Sequence, residues 1–139
     1  MHEVITIETP GRALIDITAT VNAALEGAGL EQGLCHLFIQ HTSASLMINE
    51  NADPDVLRDL ETFFSDLVKD GDTRFRHRAE GPDDMAAHVR SALTQTTLSI
   101  PVSNGRLMLG TWQGIYLWEH RHARHRRTVL ATFISFAER

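Results

Sequence analysis

Side chains capable of chemistry are concentrated in residues 40–55, QHTSASLMINENADPD. One histidine, three hydroxyls, two asparagines and three carboxylates surround the short apolar run 46–48, which is typical of a buried strand. Several of these polar groups must therefore lie inside the fold or at the rim of a pocket. Burying a polar group without a partner costs roughly 1–3 kcal/mol. The segment predicts a ligand, a metal or a dense hydrogen-bond network at this place.

Four of the eight histidines lie at strand ends, in an extended stretch or beside an apolar helix face: His41, His77, His88 and His120. None of them forms the His-x-x-x-His pair that chelates a metal from one helix. A catalytic zinc site would need three or four imidazoles to converge in the fold with a carboxylate, such as Glu80, Asp84 or Glu119. The alternative is that these are hydrogen-bonded core histidines.

A basic cluster covers residues 119–127, EHRHARHRR. It lies between two predicted strands, so we expect a hairpin tip. Its arginines, among them Arg121, Arg124 and Arg126, are suited to charge-assisted binding of phosphate. A solvated loop that offsets the acidic helix at 50–72 is equally compatible with the pattern.

Two glycines around a tryptophan in residues 110–114, GTWQG, predict a tight bend that presents Thr111 and Gln113. A purely structural turn is the alternative. The sequence has no nucleophile elbow, no phosphate-binding glycine loop and no dinucleotide fingerprint.

Residue periodicity predicts eight strands and three helices. The strands are expected at 4–8, 12–17, 34–40, 45–49, 97–102, 106–109, 113–120 and 127–136. The helices are expected at 19–28, from Asp53-Pro54 to about residue 70, and from about 83 to 93. Because most strands occur in pairs joined by tight turns, we expect an α+β fold with largely antiparallel sheets.

Composition favours one domain over residues 1–139 and excludes several classes of protein. The net charge of −5 argues against a nucleic-acid binder. The single cysteine, Cys35, allows no internal disulfide. No apolar run is long enough to span a membrane, and no segment resembles a signal peptide, so a cytoplasmic location is expected.

Four motifs occur in the order found in a known family: His41-Thr42-Ser43-Ala44-Ser45 leading to Asn49-Glu50-Asn51-Ala52-Asp53-Pro54, then His77 with Glu80, then Ala87-His88-Val89-Arg90-Ser91, then Gly110-Thr111-Trp112-Gln113-Gly114-Ile115. From about residue 34 to its end the chain resembles the YjbQ family, often labelled secondary thiamine-phosphate synthase. The resemblance implies an α+β domain with a β-sandwich, assembled as a homotrimer.

The resemblance also implies a pocket with a divalent, zinc-like metal bound by His41, His77 and His88. Further positions that match the family motifs would line or brace the same pocket: Asn49, Asn51, Asp53, Thr111, Gln113 and Glu119. Thr42 and Ser43 would contact substrate. The labelled reaction couples hydroxymethylpyrimidine diphosphate to a thiazole phosphate and releases pyrophosphate.

The working hypothesis is a small metal-site enzyme that acts on a phosphorylated small molecule. Asp53 or Glu119 would be the general base or would orient a ligand, and Arg121, Arg124 and Arg126 would anchor phosphate. The alternative is a trimeric metabolite- or metal-binding protein that catalyses nothing.

Overall fold

The computed structural model describes residues 2–136, which form eight strands and three helices. The strands are β1 His2–Thr9, β2 Ala13–Asp16, β3 Gly33–Ile39, β4 Ala44–Glu50, β5 Thr97–Ser103, β6 Arg106–Leu107, β7 Gln113–Glu119 and β8 His125–Ser135. The helices are α1 Thr18–Ala28, α2 Pro54–Leu67 and α3 Asp84–Leu93. The α+β class is confirmed. Among the described residues, no helix is both long and apolar enough to cross a bilayer.

The strands form two sheets whose paired strands are all antiparallel. One sheet has the order β1-β8-β3-β5-β6 and the other the order β2-β7-β4. Both sheets and α1 contribute to a single buried hydrophobic cluster. In β3, the alternate residues Cys35, Leu37 and Ile39 face this cluster, as the period of two along a strand requires.

The predicted connections between strands were mostly wrong. Among the described strands, only β5 and β6 form a hairpin, whereas β1 and β2, β3 and β4, and β7 and β8 lie in different sheets. Residues 119–127 are therefore a crossover between the sheets and not a hairpin tip. Turn residues show where a chain reverses, but they do not show which strand the next one pairs with.

A charged side chain fixes α3 against α2 and the second sheet. Arg90 of α3 is fully buried, and its Nη2 lies 2.7 Å from Glu61 Oε1. Its guanidinium also lies about 6 Å from the ring centroids of Phe64 and Trp118. Trp118 of β7 donates from Nε1 to the other oxygen of Glu61 at 2.8 Å. These contacts anchor the last turn of α3, the helix whose first turn carries Asp84.

Replacing Arg90 with alanine should lower the free energy of unfolding by about 3 kcal/mol, because it leaves the Glu61 carboxylate without its buried counter-charge. Urea denaturation followed by circular dichroism measures the change. The matched control is Arg58→Ala, which removes an exposed ion pair with Asp55 on the same helix α2 and should cost at most about 0.5 kcal/mol. Equal losses in the two variants would show that the Arg90 contact does not hold the helices together.

Candidate functional site

Two histidines and one carboxylate converge at the start of α3. Nε2 of His77 lies 2.7 Å from Asp84 Oδ2, and Nε2 of His88 lies 3.1 Å from the same oxygen. One donor atom from each of the three residues lies within 4.8 Å of the others. Asp84 is buried, while the side chains of the two histidines are partly exposed. This is the donor set of a metal centre with two imidazoles and one carboxylate.

The helical repeat and one loop bring these residues together. Asp84 and His88 lie one turn apart on α3, so their side chains share one face. His77 comes from residues 68–83, which fold back toward the start of α3. Gly81 makes this return with a backbone φ of 98° that favours glycine, and Gly71 N donates to Pro82 O at 2.8 Å.

The hydrogen bonds of His88 determine its chemistry. Its Nδ1 lies 2.9 Å from the carbonyl oxygen of Thr42, which can only accept, so Nδ1 carries a hydrogen. In a neutral imidazole, Nε2 would then direct a lone pair at the Asp84 carboxylate. That arrangement is repulsive unless a proton or a metal cation lies between the two atoms. A backbone carbonyl that orients the other ring nitrogen is the usual support of a metal-binding histidine.

Arg121 braces the carboxylate of this cluster. Its Nη1 donates to Asp84 Oδ1 at 2.8 Å, its Nε to Asp83 Oδ2 at 3.0 Å, and its Nη2 to the Glu80 carbonyl at 2.8 Å. Burial raises the pKa of Asp84, but the hydrogen bond from His77 and the charge of Arg121 lower it overall. The carboxylate is therefore held ionised. Arg121, predicted to anchor phosphate, instead lies against three acceptor groups of the protein.

A second polar cluster is centred on a buried ion pair. Glu119 is fully buried and accepts from Arg127 Nε at 2.7 Å, from Arg127 Nη2, from Thr9 Oγ1 at 2.7 Å and from the Arg121 backbone N at 3.1 Å. Burial raises the pKa of Glu119, but the bonds from Arg127 and Thr9 lower it overall. An enclosed carboxylate with four donors is better suited to hold Arg127 than to accept a proton from substrate.

His41 lies in this second cluster and not with His77 and His88. Its Nε2 accepts from the Thr128 backbone N at 2.8 Å, and its Nδ1 lies 3.3 Å from Arg127 Nη1. Within the described residues, the side chains placed to bind one metal ion together are those of His77, Asp84 and His88, which we call the metal-type group. Thr42 connects the two clusters, since its carbonyl accepts from His88.

The remaining predicted residues do not all surround one site. β4 and β7 are paired with Ala44 opposite Glu119 and with Glu50 opposite Gln113, so the two ends of this pair lie about 20 Å apart. Five predicted residues lie at or beyond the far end, away from the two clusters: Asn49, Asn51, Asp53, Thr111 and Gln113.

Local hydrogen bonds explain three of these five residues. Asp53 caps α2 by accepting from the Asp55 backbone N at 2.9 Å. Asn49 accepts from the backbone N of the next residue at 2.7 Å. Gln113 accepts from Gly110 N at 2.8 Å and so closes its own turn.

The other predicted phosphate anchors do not converge either. Arg126 pairs with Glu8 at 2.7 Å on the exposed side of β8, and Arg124 is exposed in the crossover. Ser43 is buried, and its hydroxyl and carbonyl both accept from Arg127 Nη2, at 3.0 and 3.2 Å.

From the sequence, Asp84 was weighed but not chosen, and Arg127 was counted in the basic cluster but not selected as a site residue. The signal for Asp84 was its spacing of four residues before His88. The signal for Arg127 was its place in the alternation of β8, where Arg127, Val129 and Ala131 are all buried. An arginine at a core-facing position must be paired, and Glu119 is its partner.

His120 is a core histidine next to the second cluster. Its Nε2 lies 2.8 Å from Ser45 Oγ, and both side chains are fully buried. Burial, followed by the positive charges of Arg90, Arg12 and Arg127, lowers the pKa of His120 to about 3. The imidazole is therefore neutral at physiological pH. Because neither side chain reaches solvent, the pair is not suited to nucleophilic catalysis.

The fold and the first cluster define the class: a small α+β protein with two antiparallel sheets and a surface centre of two histidines and an aspartate. The family model described as UPF0047 protein YjbQ-like matches residues 3–135. The chain belongs to this family.

Relatives and solved structures agree with this assignment. The chain is 53% identical over 129 residues to the UPF0047 protein sll1880 of Synechocystis, which covers 93% of this chain and 88% of the relative. It is 50% identical over 100 residues to the UPF0047 protein YjbQ of Escherichia coli O157:H7, which covers 72% of each. The crystal structure of hypothetical protein APE1520 from Aeropyrum pernix K1 superposes with a TM-score of 0.89 at 30% identity, covering 98% of this chain and 99% of that one.

Stability should fall as the pH decreases from about 6.5, because the unfolded state then binds a proton at His120 that the folded state excludes down to about pH 3. This histidine should contribute a slope that approaches about 1.4 kcal/mol per pH unit below pH 6. The free energy of unfolding, measured in urea between about pH 6.5 and 5, gives the slope above the range in which carboxylates titrate.

The variant His120→Gln should lose this part of the slope. The matched control is Ser45→Ala, which removes the hydrogen-bond partner but keeps the buried imidazole, and which should keep the slope even if it is less stable. An unchanged slope in His120→Gln would show that the imidazole is not excluded from protonation in the folded state.

Proposed function

We propose that the protein is an enzyme whose His77, Asp84 and His88 bind one divalent metal ion, zinc-like in its ligand preference. The observation that carries this is the contact between Asp84 Oδ2 and both histidine Nε2 atoms, with His88 Nδ1 already committed to the Thr42 carbonyl. Three protein donors leave one tetrahedral position for water or substrate, which is the composition of catalytic zinc sites.

A cavity adjoins this centre and suits a small ligand. It has a volume of about 350 Å³, and His77, Phe75, Pro82 and Arg78 contribute to its lining. A bound divalent ion would polarise a phosphoryl or carbonyl oxygen, or lower the pKa of a bound water. The chain itself supplies the ligands, an apolar wall and a cationic side chain, which together suit a phosphorylated small molecule.

The named candidate reaction is the one that the family label suggests. In it, a thiazole nitrogen would displace diphosphate from the methylene carbon of hydroxymethylpyrimidine diphosphate, forming a carbon–nitrogen bond as the carbon–oxygen bond breaks. We propose this reaction as a secondary activity. A non-catalytic metabolite- or metal-binding protein is the competing outcome of the tests below.

Purified wild-type protein should contain, or take up, about one zinc or similar divalent ion per chain, measured by elemental analysis after desalting. His88→Ala and Asp84→Asn should lose the ion because each removes one of three ligands. Arg121→Gln should weaken affinity by about 10- to 100-fold, because Asp84 then loses the donor that orients it. His36→Ala is the control, since His36 lies on β3 and contacts Ser99 instead of this centre.

A wild-type protein that takes up no added zinc, manganese or iron would contradict the metal proposal. Thiamine phosphate formation, followed by chromatography with both substrates present, separates enzyme from binder. Metal binding without turnover would favour the binder, and turnover that survives His88→Ala would contradict catalysis by the centre.

The assembly that we propose is the homotrimer implied by the family resemblance. In support, α2 has no buried residue in the single chain, and Phe63 and Leu67 are more than half exposed. Light scattering should give about three times the chain mass of 15.6 kDa. Phe63→Glu should reduce this mass, while the control Thr62→Glu on the same helix should not. A single-chain mass for the wild type would contradict the trimer.

A further inference from the structure

We propose that Arg127 and His41 form an anion site that binds a phosphate group, in a cavity separate from the one beside His77. This cavity has a volume of about 540 Å³ and is lined in part by Gln40, Thr42 and Thr96. The anion site stands on its own geometry. Its use as the phosphate subsite of the substrate rests on the proposed function.

The hydrogen-bond partners of Arg127 leave one nitrogen uncommitted. Nε donates to Glu119, and Nη2 donates to Glu119 and to Ser43. Among the described residues, Nη1 has one polar contact within hydrogen-bonding distance, Nδ1 of His41 at 3.3 Å. A guanidinium has two N–H groups on Nη1, so at least one of them has no acceptor among residues 2–136. The group is held in place by Glu119 and offers its remaining donors to the cavity.

The neighbour of Nη1 cannot act as a normal acceptor. His41 Nε2 already accepts from the Thr128 backbone N at 2.8 Å, and a backbone N–H can only donate. A neutral imidazole has one acceptor nitrogen, so Nδ1 must carry the hydrogen. Nδ1–H and Nη1–H therefore face each other with no acceptor between them. The reverse tautomer transfers the same conflict to Thr128.

An oxyanion resolves this conflict and a cation does not. One oxygen on the cavity side of Nδ1 and Nη1 would bridge the two nitrogens and accept from both, and charge-assisted bonds to guanidinium are among the strongest hydrogen bonds in proteins. Burial, followed by the charge of Arg127, lowers the pKa of His41, which keeps the ring a neutral donor. Thr42, Thr96 and Gln40 line the same cavity, and their side chains carry further hydrogen-bond donors.

Thr42, the residue after His41, connects the anion site to the candidate metal centre. Thr42 lines this cavity, and its backbone carbonyl oxygen also contacts Nδ1 of His88. A substrate whose phosphate lies at Arg127 would then extend along Thr42 toward His88. This arrangement assigns phosphate recognition to Arg127, instead of Arg121, Arg124 and Arg126, which pair with other groups or point to solvent.

The test is titration with inorganic phosphate at about pH 8, with the protein first treated with a chelator so that no metal contributes. Calorimetry should show binding that His41→Gln weakens at least about tenfold. Arg126→Gln is the matched control, because Arg126 is adjacent on β8 but exposed and paired with Glu8, and it should leave affinity unchanged. Acetate should bind more weakly than phosphate.

A second readout covers the case in which substitutions disturb the fold. In ¹⁵N-labelled wild-type protein, phosphate should shift the side-chain resonances of His41 and of Arg127 Nε, while those of Arg126 stay in place. No shift at His41 and Arg127, equal affinity in His41→Gln, or tighter binding of acetate would each overturn the assignment. Loss of phosphate binding in His41→Gln with metal content unchanged separates this inference from the metal proposal.

Discussion

The buried ion pair between Glu119 and Arg127 is the constraint on which the site region depends. It joins the last residue of β7 in one sheet to β8 in the other, and Thr9 of β1 adds a third strand. Removing two charges from water costs several kcal/mol per ion, so such a pair persists only with good geometry and saturated hydrogen bonds. Glu119 meets this condition with four donors. Replacing either partner would leave a buried charge unpaired, which typically costs about 3–5 kcal/mol.

The crossover between β7 and β8, which begins directly after Glu119, links this ion pair to the start of α3. Arg121 follows Glu119 by two residues, donates its backbone N to that carboxylate, and uses its side chain to hold Asp83 and Asp84. The second cluster and the metal-type group are thus connected by a few bonded residues. Thr42 and Ser43 connect them again, since the carbonyl of one faces His88 and that of the other accepts from Arg127. Both clusters are therefore held in fixed positions before any ligand arrives.

The sequence predicted the individual helices and strands well because their periodicity is local. The apolar alternation of β3 and the Asp53-Pro54 start of α2 are properties of adjacent residues. Strand pairing is not local, and most of the expected hairpins were wrong. The same distinction applies to the site. The helical spacing of Asp84 and His88 could be read directly, whereas the position of His77 depends on a loop of more than a dozen residues. The wide separation of Asn49 from His41 follows from the rise along β4 itself and could have been predicted, whereas the approach of Glu119 to Ala44 depends on which strand β4 pairs with, which the spacing of polar residues does not reveal.

The donor residues of the proposed metal centre suit an exchangeable metal site better than a structural one. Structural zinc sites are closed by four protein ligands, usually with cysteine, and the only cysteine here, Cys35, is buried in the core. Arg121 holds Oδ1 of Asp84 at 2.8 Å, and Oδ2 is the oxygen that lies beside both histidines. Within the described residues, the group therefore offers three donors, and two of them are on side chains that reach solvent. A metal bound by these three residues would have no fourth ligand from the described part of the chain, and a site with a vacant position of this kind suits catalysis better than structural support.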